Sequence, residues 1–381
     1  MKIQLQFESP LLIGGKKHSS NFIETDDVIK GDIIRAAFAK IILDRCSAKN
    51  EKDFEGKKNW VFFRDCKICE ECKFRKVCNK FSDIKFSYFY PKNTEIIPLS
   101  AKACKNDDKH GIYDDLITKE STCECGSRLE FKSGLRLKDT KQSYMVKKEF
   151  LMKNGINQFT KTSSDGLLYS IETVVSTSTD YNNSELIYEG YIENMDIDDL
   201  SLFNVLRVGG DTTVGLGKCK IRLIEEENVI TNYKDIEKKL AFFNREYKHK
   251  KNEYQKSENE DKNNYLAVKL IGDAILNFNN DGSYKTTEEL KEIWENALEI
   301  NGNIHVDKVY AEIENYRGYD NSLNTDSKRE KAKCFVKKGT VIVFSTEADI
   351  KELYEAIKNR KNFGEEEING FGQYELYLGG L

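Results

Sequence analysis

Two stretches of the chain match each other in spacing: GGDTTVGLG at residues 209–217 and GEEEINGFG at residues 364–372. Each reads Gly-x5-Gly-x-Gly with an apolar residue between the last two glycines. Each is followed by a run that predicts a strand, Lys218 to Leu223 in one case and Gln373 to Leu378 in the other. The match predicts an internal structural repeat that closes each half of the chain in the same way.

Glycines at such positions let a nucleic-acid backbone or a phosphate lie against the main chain, and they also form tight loops before edge strands. For one loop alone the tight-loop interpretation is favoured, whereas two loops in matching positions favour a cradle for a ligand. The stretches lack the Gly-Lys-Ser/Thr ending of a phosphate-binding P-loop and do not follow a first strand. Nucleotide hydrolysis is therefore not expected.

The order of elements around the two stretches predicts the fold class. Apolar and polar residues alternate in Lys2 to Phe7, which predicts a first strand, and Asp32 is a candidate N-cap for the helix that follows. The second half opens with a predicted strand at Tyr265 to Leu270 and continues with a predicted helix at Thr286 to Ala297. Phe335 to Phe344 predicts a hairpin. Strand, helix, strands, helix and strand in each half predict an α+β fold with antiparallel sheets.

Length and composition indicate a soluble protein of two domains. The chain has 381 residues, 39% hydrophobic and 33% charged, with a formal net charge of -4, so a nucleic-acid surface would have to be local. No apolar run approaches a membrane span and the N-terminus lacks a secretory segment, so we expect a cytoplasmic location. The predicted divisions are an N-terminal domain at 1–225 with a cysteine-rich insertion at about 46–158, a charged linker at 226–263, and a C-terminal domain at 264–381.

Eight of the ten cysteines fall between Cys46 and Cys125, which predicts a segment organised by metal. Four thiols are spaced closely enough for one loop to wrap an ion: Cys66, Cys69, Cys72 and Cys78. Four thiolates suit structural zinc, and an iron–sulfur cluster is the chemical alternative. Zinc is preferred because nothing nearby suggests a redox partner.

A second metal-ligand set is predicted at Cys104, His110, Cys123 and Cys125. Its Cys-x-Cys spacing is tighter than the usual Cys-x2-Cys, and the segment between its parts is longer. One of these residues could therefore simply pack inside the insertion.

The glycine stretches make the sequence resemble the RAMP superfamily of CRISPR-associated proteins, whose ferredoxin-like domains end in a loop of the form Gly-x(n)-Gly-hydrophobic-Gly. The same family has an Ile-Pro-Gly-Ser-Ser-Leu-Arg sequence before its first helix, which corresponds to residues 29–35 here. Lys30 and Asp32 depart from that pattern, whereas Gly31 and Arg35 match it. Within the superfamily, residues 86–91, 97–101, 104–105 and 110–116 look like the large RAMP subunit of type III-D complexes.

The resemblance implies two ferredoxin-like domains and a non-catalytic subunit that binds the 5′ handle of the guide RNA. Its implied partners are the guide RNA, a large polymerase-like subunit and backbone RAMP subunits, without a membrane or a small-molecule substrate. The segment from Lys147 to Lys161 resembles the extended hairpin with which RAMP proteins separate guide bases. The candidate RNA-binding residues are Lys16, Lys17, Gly31, Arg35, Arg207, Gly209, Gly215, Gly217, Lys218, Gly364, Gly370, Phe371 and Gly372.

Two alternatives remain at the level of sequence. One is a RAMP endoribonuclease: either one that processes the guide RNA precursor, with His18 as a candidate acid or base, or a backbone-type subunit that cuts target RNA, with Asp26 and Asp27 as candidate loop aspartates. The other is a zinc-stabilised scaffold for protein interactions that does not contact RNA. Neither has a motif as specific as the paired glycine stretches.

Overall fold

The computed structural model describes residues 1–17, 21–46, 70–107, 110–175, 186–225, 233–255, 261–276, 287–298, 304–316, 333–360 and 362–379. The chain divides into two compact units. Unit 1 comprises Met1–Lys92, Met145–Glu226 and Ile368–Gly370, and unit 2 comprises Asn93–Tyr144, Glu227–Glu367 and Phe371–Leu381. The segment interpreted as an insertion thus contributes residues to both units.

The strands, in chain order, are β1 Lys2–Phe7, β2 Gly14–Lys17, β3 Phe22–Thr25, β4 Lys85–Phe86, β5 Tyr90–Pro91, β6 Thr94–Ile96, β7 Ala101–Cys104, β8 Ile112–Asp114, β9 Leu129–Phe131, β10 Leu135–Leu137, β11 Ser143–Tyr144, β12 Lys148–Ile156, β13 Ser163–Val174, β14 Ile187–Glu193, β15 Val205–Arg207, β16 Lys218–Ile224, β17 Asn264–Leu270, β18 Ala274–Ile275, β19 Ile304–Tyr310, β20 Ile313–Tyr316, β21 Lys333–Val336, β22 Val341–Thr346 and β23 Tyr374–Tyr377. The helices are α1 Gly31–Asp44, α2 Arg75–Lys80, α3 Ile197–Leu200, α4 Tyr233–Gln255, α5 Thr287–Leu298 and α6 Ile350–Asn359. The predicted α+β class with antiparallel sheets is confirmed, although β13 and β3 pair in parallel.

The main sheet of unit 1 has the strand order β15-β16-β1-β14-β4, with β5 also paired to β14. Ile3, Leu5 and Phe7 of β1 alternate with polar residues and are buried on one face of this sheet, as the sequence predicted. Phe38 of α1 is buried in the same core, with its ring centroid 4.6 Å from that of Phe203.

The start of α1 differs from the prediction. Lys30, and not Asp32, is the N-cap, because its backbone is extended whereas Asp32 already lies in the first turn. The Asp32 carboxylate accepts a hydrogen bond from the Ile33 N–H at 2.7 Å. Its charge still favours the helix N-terminus through the helix dipole.

The main sheet of unit 2 has the order β19-β22-β17-β23. In unit 1, β1 lies between β14 and β16, and β4 lies on the far side of β14. In unit 2, β17 lies between β22 and β23, and β19 lies on the far side of β22. One helix follows the first strand, and helical turns precede the last strand in both units. The predicted repeat of element order is therefore present in the sheets.

Two faces of the unit 2 sheet are buried. Leu266 and Val268 of β17 belong to one core with Trp294 of α5 and Leu353 of α6. Tyr265 and Ala267 point to the other face, where Phe243 and Tyr247 of α4 pack with them. Helix α4 lies in the segment interpreted as a charged linker. Exposed charged residues such as Glu237, Lys238 and Lys239 form its solvated side, whereas Leu240, Phe243 and Tyr247 form the buried side.

The hairpin predicted at Phe335 to Phe344 is wrong. The chain does turn at Gly339, but β21 pairs with β18 and β20, whereas β22 pairs with β17 and β19. The two strands therefore belong to different sheets. None of the described helices is both long enough and apolar enough to cross a membrane.

Candidate nucleic-acid interface and metal centre

The two glycine loops share the same pattern of left-handed positions and helical turns. Each has positive φ at four positions separated by the same intervals, and each has a short 3-10 turn between the second and third of them. The positions are Gly209, Asp211, Gly215 and Gly217 in the first loop, and Gly364, Glu366, Gly370 and Gly372 in the second. Two non-glycine residues thus adopt a left-handed conformation at equivalent places.

The two loops also share their hydrogen bonds. The Gly217 N–H donates to the Pro10 carbonyl, and the Gly372 N–H donates to the Asp273 carbonyl, each at 2.8 Å. The Gly217 and Gly372 carbonyls accept from Val208 and Phe363, each at 2.9 Å. Each loop is therefore fastened to the segment that follows the first strand of its sheet.

The last glycine of each loop is required by close packing. A Cβ on Gly217 would lie 1.9 Å from the Val208 carbonyl oxygen, and one on Gly372 would lie 1.7 Å from the Phe363 carbonyl oxygen. Gly209 and Gly364 similarly approach the carbonyl oxygens of the segments after β1 and β17. These four glycines fit the tight-loop interpretation, since they bring protein backbones together and not a ligand.

The tips of the loops differ in exposure. In the first loop, Val214 is 67% exposed and a Cβ on Gly215 would meet open space. The Lys40 ammonium donates to the Thr212 hydroxyl at 3.0 Å, and the Lys153 ammonium pairs with the Asp211 carboxylate. The first tip is thus an exposed turn beside Lys40, whose charge no carboxylate offsets within the described residues, and beside Lys153, whose charge Asp211 offsets.

The tip of the second loop is packed. Within unit 1, a Cβ on Gly370 would lie 2.6 Å from the Phe86 carbonyl oxygen, and the Asn369 carbonyl lies against Gly31. Within unit 2, Phe371 is 3% exposed and stacks on Phe335 at 5.8 Å between ring centroids. Phe371 is therefore too buried to stack on an RNA base. At Gly31 the Asn369 carbonyl approaches so closely that only glycine fits.

The Arg35 guanidinium forms hydrogen bonds with carbonyl groups of the protein itself. Its guanidinium donates to the carbonyl of Ile84 at 2.8 Å and to that of Phe81 at 2.7 Å, and it lies over the Phe81 ring. Burial lowers the pKa of Arg35 from its ordinary value. The position matched in the resemblance thus joins α1 to the chain after α2.

The other predicted cations lie on strands. Arg207 on β15 and Lys218 on β16 face each other in the register and flank the first loop. The Lys218 ammonium pairs with Glu8 at 2.8 Å, while Arg207 is exposed. Lys16 and Lys17 lie on β2.

Strands β12 and β13 form the hairpin that the resemblance implied. They pair from Lys148 opposite Val174 to Ile156 opposite Ser163. The turn beyond them carries Phe159, which is 95% exposed, and Ile156 is also exposed. Lys153 on β12 connects this hairpin to Asp211 of the first loop.

One predicted metal-ligand set is assembled in unit 2. The ligand atoms of Cys104, His110, Cys123 and Cys125 all lie within 4.8 Å of one another. The sulfur atoms of Cys104 and Cys125 are 3.5 Å apart, and the Cys123 sulfur lies 3.5 Å from His110 Nδ1. Three thiols and one imidazole at this separation fit a tetrahedral zinc ion.

Local backbone structure produces this cluster. Cys104 ends β7, and the segment from Cys123 to Gly126 forms a tight turn in which the Gly126 N–H donates to the Cys123 carbonyl at 2.8 Å. Gly126 has a φ of 79°, which allows the turn to reverse. A backbone hydrogen bond from Asp107 lowers the pKa of Cys104, and hydrogen bonds from Ser127 lower the pKa of Cys125, whereas the pKa of Cys123 is raised. Two of the three thiols thus favour the thiolate that zinc binds.

The other predicted set is only partly described. Cys72 precedes α2 and Cys78 lies on it, whereas Cys66 and Cys69 lie outside the described residues. His18 also lies outside them. Of the acidic candidates for catalysis, Asp27 pairs with Lys148 at 2.9 Å.

The solved structures that resemble this chain include a type III-B Cmr-beta bound to cognate target RNA and AMPPnP, with 11% identity over 94% of this chain and 89% of that chain, at a TM-score of 0.43. A Csm3-Csm4 subcomplex of the type III-A CRISPR-Cas interference complex matches with 14% identity over 90% of this chain and 92% of that chain, at a TM-score of 0.33. These chains come from type III complexes. No protein-family model and no curated protein matches the sequence. At these TM-scores the likeness does not support an inference of function. The function is therefore inferred from the loops, strands and metal ligands of this chain.

Proposed function

We propose that this chain is a non-catalytic RNA-binding subunit of a type III CRISPR effector complex, built from two ferredoxin-like domains. The equivalence of the two glycine loops, in φ angles and in hydrogen bonds, is the observation that carries the proposal. It supports the resemblance to RAMP proteins at the motif by which that family is recognised. The shared strand order of the two main sheets supports the ferredoxin-like assignment.

The ligand we propose is the 5′ handle of the guide RNA, with a large polymerase-like subunit and backbone RAMP subunits as partners. The exposed tip of the first loop, beside Lys40 and Lys153, is the part of the paired loops that can reach a phosphate. Arg207 and Lys218 flank the same loop. The RNA contact is therefore assigned to the first loop and its flanking strands.

Zinc is proposed as a structural ion. Cys104, His110, Cys123 and Cys125 would complete its coordination, so such a site leaves no open position for a substrate. Its role would be to fasten β7 to the turn at Cys123.

RNA binding at two salt concentrations tests this function. The purified chain, mixed with a labelled single-stranded RNA of the guide's repeat-derived 5′ sequence, is expected to bind with an affinity that falls as salt rises. The RNA is recovered from the same tubes and its length is measured. Binding without shortening is the expected result.

The alternatives predict different results in this assay. Absence of RNA binding at low salt would leave the zinc-stabilised scaffold and contradict our proposal. Shortening of the RNA at a defined position, with or without added divalent metal, would favour the endoribonuclease.

A further inference from the structure

The main sheet of unit 1 has an outer face, opposite the buried side chains of Ile3, Leu5 and Phe7, which is rich in cations. The register puts Lys218, Lys220 and Arg222 of β16 on this face at alternate positions, because Ile221 and Cys219 point to the core side with Leu5 and Phe7. Arg207 of β15 lies directly opposite Lys218 in the strand register, and Lys2 lies on β1, two strands from Arg207. We call these five residues and Tyr191 the cationic face.

Positive charge dominates on this face. Glu8 pairs with Lys218 and Lys220, and Glu189 pairs with Lys2, so five cations stand against two carboxylates. The neighbouring strand adds Lys85 opposite Glu193, one charge of each sign. A chain with a net charge of -4 thus has a local excess of three positive charges here.

Two arginines give this face its accessible charge. Arg207 and Arg222 are both exposed, and neither has an ion pair or side-chain hydrogen bond within the described structure. Tyr191 on β14, the strand next to β1, is 44% exposed. Cations and an exposed aromatic ring on neighbouring strands are the combination with which sheet surfaces bind single-stranded RNA.

The equivalent face in unit 2 shows that the fold alone does not require this charge. By strand register and loop spacing, Lys2, Gln4 and Arg222 correspond to Tyr265, Ala267 and Tyr377. All three residues of unit 2 are buried and pack with Phe243 and Tyr247 of α4. These three positions are therefore buried under a helix in unit 2, whose same face also carries the Lys269–Glu375 ion pair, whereas two of the three equivalent positions in unit 1 are cations.

We propose that the cationic face of unit 1 binds the backbone of single-stranded RNA, continuing the contact that begins at the tip of the first glycine loop. The loop joins β15 to β16, so Arg207 and Lys218 are the residues of the face that flank the loop in the chain. From Lys218 to Arg222 the face extends ~13 Å along β16. This inference rests on the proposed function, because it names the surface that holds the same RNA.

Charge reversal on the full chain tests the inference. The test variant combines Arg207→Glu with Arg222→Glu. The control variant combines Lys238→Glu with Lys239→Glu, at exposed positions of α4, and changes the net charge by the same amount. The probe is a labelled single-stranded RNA of the repeat-derived 5′ sequence, and a poly-glutamate peptide is the second probe. Denaturation midpoints verify that each variant folds, and Arg207→Gln with Arg222→Gln replaces the reversal if its midpoint falls.

We expect the arginine reversal to weaken RNA binding by at least about tenfold, since two charge-assisted contacts become repulsive. The glutamine variant is expected to reduce the slope of log affinity against log salt by about 1.4. The lysine control is expected to bind within about twofold of the unaltered chain.

Equal RNA affinity for the arginine variants and the unaltered chain would overturn the inference and leave the proposed function standing. Poly-glutamate binding that is lost in these variants, with RNA binding unchanged, would assign the face to an acidic protein and also overturn it. An unaltered chain that binds no RNA would overturn both.

Discussion

At the scale of single residues, the glycines of the two loops have separate roles that the sequence could not distinguish. Gly217 and Gly215 both have positive φ, but only Gly217 is in contact with another backbone carbonyl. The spacing predicted that both would matter to a ligand. Whether a glycine faces a ligand or another backbone depends on how the folded loop lies against Val208 and Pro10, which spacing does not contain.

Replacement of Gly217 by alanine is expected to destabilise the chain more than the same change at Gly215. Both variants incur the cost of a left-handed alanine, roughly 1–2 kcal/mol, but the Gly217 variant also places its Cβ 1.9 Å from the Val208 oxygen. We expect a further loss of at least about 2 kcal/mol in the free energy of unfolding. Denaturant titration of both variants measures it, and equal losses would contradict the packing role.

Arg35 and Phe371 illustrate the same limit for side chains. Their residue types suit phosphate and base contacts, yet Arg35 donates to two carbonyls and Phe371 lies in a core. Cysteine spacing carried more information, because ligands close in sequence reach one ion with little help from the rest of the fold. The set of Cys104, His110, Cys123 and Cys125 has the less usual spacing of the two, yet its predicted ligand atoms do lie together.

Substitution of Cys123 by serine is expected to remove about one equivalent of zinc from the purified chain, because three ligands hold the ion far less tightly than four. Cys46→Ser is the control, since Cys46 belongs to neither predicted set. Elemental analysis after dialysis measures zinc and iron together. Unchanged zinc in the Cys123 variant, or iron in place of zinc, would contradict the assignment.

At the scale of elements, hydrophobic alternation predicted β1, an apolar run predicted β17, and helical periodicity predicted α1 and α5. The same alternation in Lys218 to Ile224 places cations at every second residue, a signal that predicts the cationic face once β16 is known to have one solvated side. The partners of β21 and β22 were not predictable, because strand pairing is decided between distant segments. The packing of α4 over its sheet was missed since charged residues outnumber its buried ones.

Neutralising Glu8 is expected to strengthen RNA binding. Hydrogen bonds from Lys218 and Lys220 lower the pKa of Glu8 to about 2, so this carboxylate stays ionised and masks both lysines. The ion pairs are complete above the ordinary carboxyl pKa and are lost only as pH falls through about 2. Glu8→Gln should raise affinity about two- to fivefold at pH 7.

The control for this experiment is Glu352→Gln, which removes an exposed carboxylate from α6. It is expected to leave RNA affinity unchanged, whereas general electrostatics would raise affinity equally in both variants. An equal rise would therefore count against a local role of Lys218 and Lys220.

At the scale of the whole molecule, the chain combines a net negative charge with one cationic sheet face, and two units of shared strand order with different outer surfaces. This arrangement predicts a limited salt dependence. Five phosphate contacts would give a slope of log affinity against log salt of about -3.5, and three would give about -2. With Lys40 and Lys153 at the loop tip, seven contacts would give about -5. A measured slope much steeper than about -5 would require cations beyond the face and the tip and would contradict their dominance.

The most direct measurement is photo-crosslinking of a guide RNA that carries 4-thiouridine in its 5′ handle, within the assembled effector complex, followed by mapping of the crosslinked peptides. Our account predicts crosslinks to this chain between residues 205 and 224, which include Arg207, the first loop tip and Arg222. Crosslinks confined to other subunits, or to α4 of this chain, would contradict it.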